Sequence, residues 1–186
     1  MKRILFTCFI FIGFLLAGCS NDETTVQIIR TPSLTCNVNG IPWKADTYSF
    51  SAVSKVVVYP ADPNQSGQFF NRFTLQSSGR DSVGNTYQLI IMFDVLDMTQ
   101  LAGAYTPVYT AQRGLAQAQL FDLTNSNDLS AFNLCGNNTN NASFQIQKQG
   151  VNEKLISGDF QMTLCNSRDT TQKLNITNGI FKDIKY

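Results

Sequence analysis

The chain holds 186 residues, with 14 lysines and arginines against 13 acidic residues and no histidine. A near-zero balance, with no local run of Lys or Arg, offers no electrostatic footprint for nucleic acid. The missing histidine excludes a Ser-His-Asp or Cys-His nucleophile, the HExxH zinc site and a histidine general base.

Lys2 and Arg3 precede an uncharged run from Ile4 to Ala17, the layout of a secretory leader. A permanent span takes about 20 apolar residues, so this run is too short to be a comfortable one. It ends on Leu16-Ala17-Gly18-Cys19, which resembles the bacterial lipobox. That resemblance implies cleavage after Gly18 and lipidation of Cys19, each buried methylene then contributing roughly 0.8 kcal/mol to anchoring. Ser20-Asn21-Asp22-Glu23 resembles the acidic tag behind the lipid cysteine of surface-exported Bacteroidota lipoproteins. The expected organisation is a leader over 1–18, a lipidated tether over 19–32 and one domain over 33–186. Its expected address is the bacterial outer membrane, facing outward.

Beyond the tether, short apolar alternations are broken by Gly, Asn, Asp and Pro. Leu34–Asn39 reads as a strand running into the turn Asn39-Gly40-Ile41-Pro42, with Trp43 directly after it. Thr47–Val53 and Lys55–Tyr59 follow, then Phe69–Gln76 and Thr86–Val95 as a hairpin around Gly79–Asn85. In the last of these Tyr87, Leu89, Ile91, Phe93 and Val95 share one face while Ile90 and Met92 take the other, which suggests a central strand. Met98–Ala102 and Asp128–Phe132 each suggest one helical turn. The later strands are Gly103–Tyr109, Gln117–Leu123, Ala142–Lys148, Leu155–Cys165, Gln172–Thr177 and, after the Asn178-Gly179 turn, Ile180–Tyr186. No segment sustains a 3.6-residue period, so the expectation is a single antiparallel all-β domain. A β-sandwich is favoured, with a lipocalin-like closed β-barrel as the alternative.

Of the five cysteines, Cys8 leaves with the leader and Cys19 carries the lipid. Cys36 alternates with Leu34 and Val38 on an apolar face. Cys165 lies opposite Phe160, Met162 and Leu164, on an outer face, and Cys135 lies in a loop. The best pairing is Cys135 with Cys165, leaving Cys36 a buried thiol, although three unpaired thiols are nearly as well supported.

Leu34-Thr-Cys-Asn-Val-Asn-Gly40 with Trp43, Gly103-Ala-Tyr-Thr106, Ile156-Ser-Gly-Asp-Phe160 and Ile176-Thr-Asn-Gly-Ile-Phe181 with Ile184-Lys-Tyr186 together resemble uncharacterised Bacteroidota lipoproteins. Those share a V-x-G-x-x-W opening and a T-N-G-x-F-x-x-x-K-Y ending. The resemblance implies location and β-architecture and transfers no activity. Its residues read as framework: Gly40 frees a turn, Trp43 closes one end of the core, Gly158 marks a bulge and Gly179 a turn.

Five segments could carry chemistry. Asp62-Pro-Asn-Gln-Ser-Gly67 copies half a calcium loop, but its twelfth position is Phe73 where a bidentate Glu is required, so no metal is expected. Asp94 and Asp97 are a minimal carboxylate pair for hydrolysis, and more simply a strand end followed by a turn cap. Tyr105, Tyr109 and Arg113 offer rings and a guanidinium suited to sugars, or the tyrosines of a half-buried strand. Ser82 and Thr170, in Asp81-Ser-Val83 and Asp169-Thr-Thr171, resemble acceptors of Bacteroidota O-glycosylation. The reading is a non-catalytic surface module that binds glycans or an envelope partner, without cofactor. A carrier of small apolar ligands inside a barrel comes second, and a carboxylate-dependent hydrolase third.

Overall fold

A computed structural model of the chain describes residues 31–58, 68–107, 116–125, 130–136, 141–150, 152 and 154–185. Cys19, Tyr109, Arg113 and the segment Asp62–Gly67 lie outside the described residues.

The described chain is all-β and every strand pairing is antiparallel. Ten strands follow in order: β1 (Ser33–Val38), β2 (Ile41–Val58), β3 (Gln68–Asp81), β4 (Thr86–Val95), β5 (Gly103–Tyr105), β6 (Ala116–Asp122), β7 (Ser130–Leu134), β8 (Ala142–Gly150), β9 (Leu155–Asn166) and β10 (Lys173–Lys185). The order β10-β1-β2-β3-β4-β6-β7-β9 returns to β10 through the β9–β10 pairing, so eight strands close a barrel. Of the two architectures weighed from the sequence, the pairing describes the closed barrel and not the sandwich. Alternation along a strand is the same in both. The difference is made by β10, which pairs β1 on one edge and β9 on the other and so leaves neither edge open. On the edge of β9 away from β10, β8 pairs with Leu155–Met162 and β7 with Leu164–Asn166, end to end. β5 lies on the far edge of β8.

Local chemistry accounts for the turns. Asn39 (φ 49°) and Gly40 (φ 83°) are both left-handed and join Val38 to its partner Ile41. That is the two-residue hairpin whose twist matches its strands. The two strands expected over Thr47–Val53 and Lys55–Tyr59 are one strand, β2, with register shifts after Ala45 and after Val53. Likewise β10 runs unbroken through Asn178-Gly179. Asn178 (φ 52°) is accommodated by a register shift between Ile176 and Gly179, a bulge instead of the expected turn. The helical turn expected over Asp128–Phe132 is also corrected, because Ser130–Leu134 is a strand held by β6 and β9. The turn at Met98 is helical, a 3-10 turn over Met98–Gln100.

The barrel interior is packed with side chains. Leu34, Phe73, Leu75, Ile91, Phe93, Leu164 and Phe181 are wholly buried in one core with Trp43, Phe144, Phe160 and Ile184. Burying each such large side chain contributes roughly 1.5–3 kcal/mol. Gly158 and Gly179 are parts of this packing. Gly158 pairs with Phe181 and Gly179 with Phe160 across β9 and β10, so each glycine lies beside the partner strand's ring. The two rings stack with centroids 6.5 Å apart. The bulge expected at Gly158 is present on its neighbours, where β8 shifts register between Ile146 and Lys148 and β10 between Phe181 and Ile184, and Gly158 itself leaves space for Phe181.

Candidate functional site

The two strand-end carboxylates do different structural jobs. Asp94 is wholly buried, and its two oxygens accept from Arg72 Nε at 2.7 Å and Arg72 Nη2 at 2.8 Å. The two residues are direct register partners on β3 and β4. The hydrogen bond that Arg72 donates to Asp94 outweighs burial and raises the Arg72 pKa above its ordinary value. Asp97 instead caps the 3-10 turn, accepting from Thr99 N–H at 2.8 Å. That backbone hydrogen bond, with one from the Thr99 side chain, lowers its pKa. An acid–base pair needs two carboxylates facing one substrate, and these two are separately engaged.

Tyr105 belongs to the core. It is 2% exposed, its hydroxyl donates to Leu101 O at 2.5 Å, and its ring lies 5.1 Å from that of Phe93. Its burial fits the other reading of these tyrosines, as residues of a half-buried strand, and turns Tyr105 away from any surface ligand.

Cys135 and Cys165 are joined in a disulfide with 5.0 Å between their Cα atoms. It ties the end of β7 to β9, where β9 exchanges one neighbour for another. Cys36 is a buried free thiol, and burial pushes its pKa up to about 12, so it stays protonated and inert.

Ser82 and Thr170 are both exposed in turns. Each follows an aspartate that accepts from the backbone N–H two residues on: Val83 to Asp81 Oδ1 at 3.0 Å, and Thr171 to Asp169 Oδ1 at 3.0 Å. Burial works to raise the Asp81 pKa, but hydrogen bonds from Asn85, Val83 and Gly84 outweigh it and hold the carboxyl below its usual range. For Asp169, the hydrogen bond from the Thr171 side chain comes first among the causes that lower the pKa. Both hydroxyls therefore sit at the apex of a fixed Asx-turn. Among the described residues no group of three or more His, Cys, Asp and Glu could hold a metal. No helix among them is long and apolar enough to cross a membrane.

What the fold does assemble is a polar outer face. Three adjoining clefts cross it from β8 to β3. The first, of about 430 Å³, is lined by Asn141, Ser143, Gln161, Thr163, Asn175 and Thr177. The second, of about 490 Å³, shares Ser143 and Gln161 with it and adds Asp159, Asn178 and Ile180. The third, of about 390 Å³, shares Asn178 and continues over Thr35, Asn37, Lys44, Arg80 and Ser82. Strand alternation produces this face: Phe160, Met162 and Leu164 turn inward while Gln161 and Thr163 turn outward. Ile180, 41% exposed, is the apolar spot within it. Lys44 and Arg80 lie far apart in the chain, so the sequence gives no sign that they meet; the β2–β3 register pairs them.

No protein-family model matches the chain, and neither a curated protein nor a solved structure does.

Proposed function

We propose that the protein is a lipoprotein anchored at the bacterial outer membrane through Cys19, facing outward. Its barrel serves as a non-catalytic module that binds glycans. The observation that carries this reading is the outer face of Asn, Gln, Ser and Thr side chains, folded into adjoining clefts across β1, β8, β9 and β10. Amides and hydroxyls each both donate and accept, which suits a ligand made of hydroxyls. Ile180 offers an apolar patch for the C–H side of a sugar ring. The strand order is lipocalin-like, yet Phe73, Phe93, Phe144 and Phe181 occupy the space an apolar cargo would need, which supports the outer face over the interior as the binding surface. Engagement of Asp94 by Arg72 and of Asp97 by its turn supports binding over hydrolysis. The anchor rests on the lipobox-like Leu16-Ala17-Gly18-Cys19. The Cys135–Cys165 disulfide supports an oxidising compartment.

A glycan array probed with residues 20–186 is expected to show a restricted set of bound oligosaccharides, weakened by Gln161→Ala with Asn175→Ala; uniform silence would remove glycans from the reading. Labelled palmitate fed to the producing cells should appear on the wild-type chain and vanish from Cys19→Ala. Equal labelling of both would dismiss the anchor.

A further inference from the structure

We infer that the β1–β3 end of the polar face takes the acidic group of a charged saccharide, a uronate carboxylate or a sulfate ester. This rests on the glycan-binding reading and adds a charge requirement to it. Lys44 and Arg80 are direct register partners on β2 and β3, and both are exposed beside inward-facing Trp43, Gly79 and Asp81. Their Cβ atoms are thus about 5 Å apart on one surface, an arrangement of like charges that destabilises a sheet. Among the described residues neither cation has an ion-pair partner.

The nearby carboxylates do not relieve them. Asp81 lines the same cleft, but its oxygens accept from Val83 N–H, Asn85 N–H and Asn85 Nδ2. Asp46, where the β2 register shifts, is exposed and makes no ion pair with Lys44. A bound anion would turn the repulsion into two attractions, since the guanidinium fork grips a carboxylate or sulfate bidentately and the ammonium adds a point charge. Thr35, Asn37 and Ser82 line the same cleft and supply neutral donors around it. Trp43, buried in the core directly before Lys44, borders the same cleft.

Trp43 is the chain's one tryptophan, so its fluorescence reports on this cleft. The full chain in detergent would be titrated with tetragalacturonate, a chondroitin sulfate tetrasaccharide and neutral maltotetraose. The variants are Lys44→Gln with Arg80→Gln, and Lys173→Gln as a control for a cation away from the cleft, each checked for an unchanged thermal melt. The expected result is a change in tryptophan emission with at least one acidic probe. Its affinity should fall at least tenfold in the double variant, hold in Lys173→Gln and weaken as salt is raised. Binding of maltotetraose as tight as that of the acidic probes, unaffected by the double variant, would overturn the charge requirement and leave the glycan reading standing. Equal loss in Lys173→Gln would reduce the effect to nonspecific charge and also overturn it. Silence towards all three probes, joined to a silent array, would overturn both.

Discussion

Arg72→Met is expected to lower the stability of the domain by about 3–5 kcal/mol, the loss typical when a buried ion pair is stripped of one partner. The asymmetry of the pair sets which single change is worse. Asp94 is 0% exposed while Arg72 keeps 24% of its side chain in contact with solvent. Removing Arg72 therefore strands a carboxylate that water cannot reach. Removing Asp94, as in Asp94→Leu, leaves a guanidinium that can still be partly hydrated, and the loss should be smaller. Replacing both at once removes two desolvation penalties together with their mutual attraction, so the double variant should lie near wild type. Urea denaturation of the four proteins at neutral pH gives the cycle. Single losses that simply add up in the double variant would show that the side chains act independently, contrary to their bidentate geometry. The same result bears on chemistry: a carboxylate whose role is to neutralise Arg72 inside the protein is not one held ready for a substrate.

The wall of the barrel is largely legible in the sequence because alternation is a local signal. Leu34, Cys36 and Val38 in β1, and Phe160, Met162 and Leu164 in β9, face inward as their spacing predicts. Asn39-Gly40 makes the turn its backbone freedom suggests. Errors arise where a local signal competes with a distant partner. Asn178-Gly179 has the composition of a hairpin turn, but Ile176 and Gly179 both pair with β9, at Met162 and Phe160, so the strand carries the extra residue as a bulge. Ser130–Leu134 is short and weakly patterned, and it becomes a strand because β6 and β9 supply partners on both sides.

The candidate site was less legible for the same reason. Every surface cleft described above joins strands distant in sequence, as Asn141 meets Asn175 in one and Thr35 meets Arg80 in another. Tyr105 shows the converse: its alternation was visible, but which face was inside depended on where pairing with β8 sets the strand and on Phe93 of β4, which its ring meets. A single sequence gives the two faces of each strand without saying which residues on different strands share a surface.

The interlock of Gly158 and Gly179 with two phenylalanines carries the second large expectation. A Cβ on Gly158 would stand 2.5 Å from Phe181 Cζ and 2.1 Å from the Gln145 backbone oxygen. One on Gly179 would stand 2.5 Å from two atoms of the Phe160 ring and 2.6 Å from the Phe160 backbone oxygen. Real Cβ contacts of this kind begin near 3 Å, so both substitutions overpack the core. The ring can move slightly, whereas the carbonyl of a paired strand cannot move without disturbing the ladder. Gly158→Ala should therefore reach about 3 kcal/mol, the upper part of the usual overpacking range. Phe181→Leu in the Gly158→Ala background relieves the ring and leaves the Gln145 oxygen, so only part of that loss should return. Thermal and urea unfolding of Gly158→Ala, Phe181→Leu and the double variant measure this directly. If Gly158→Ala melts within a degree of wild type, the glycines are not held by the rings. The shared Gly-x-Phe pattern of β9 and β10 would then need an explanation outside the core. If the loss is as large as expected, that pattern belongs to the closure of the barrel, and the search for function stays on the polar outer face.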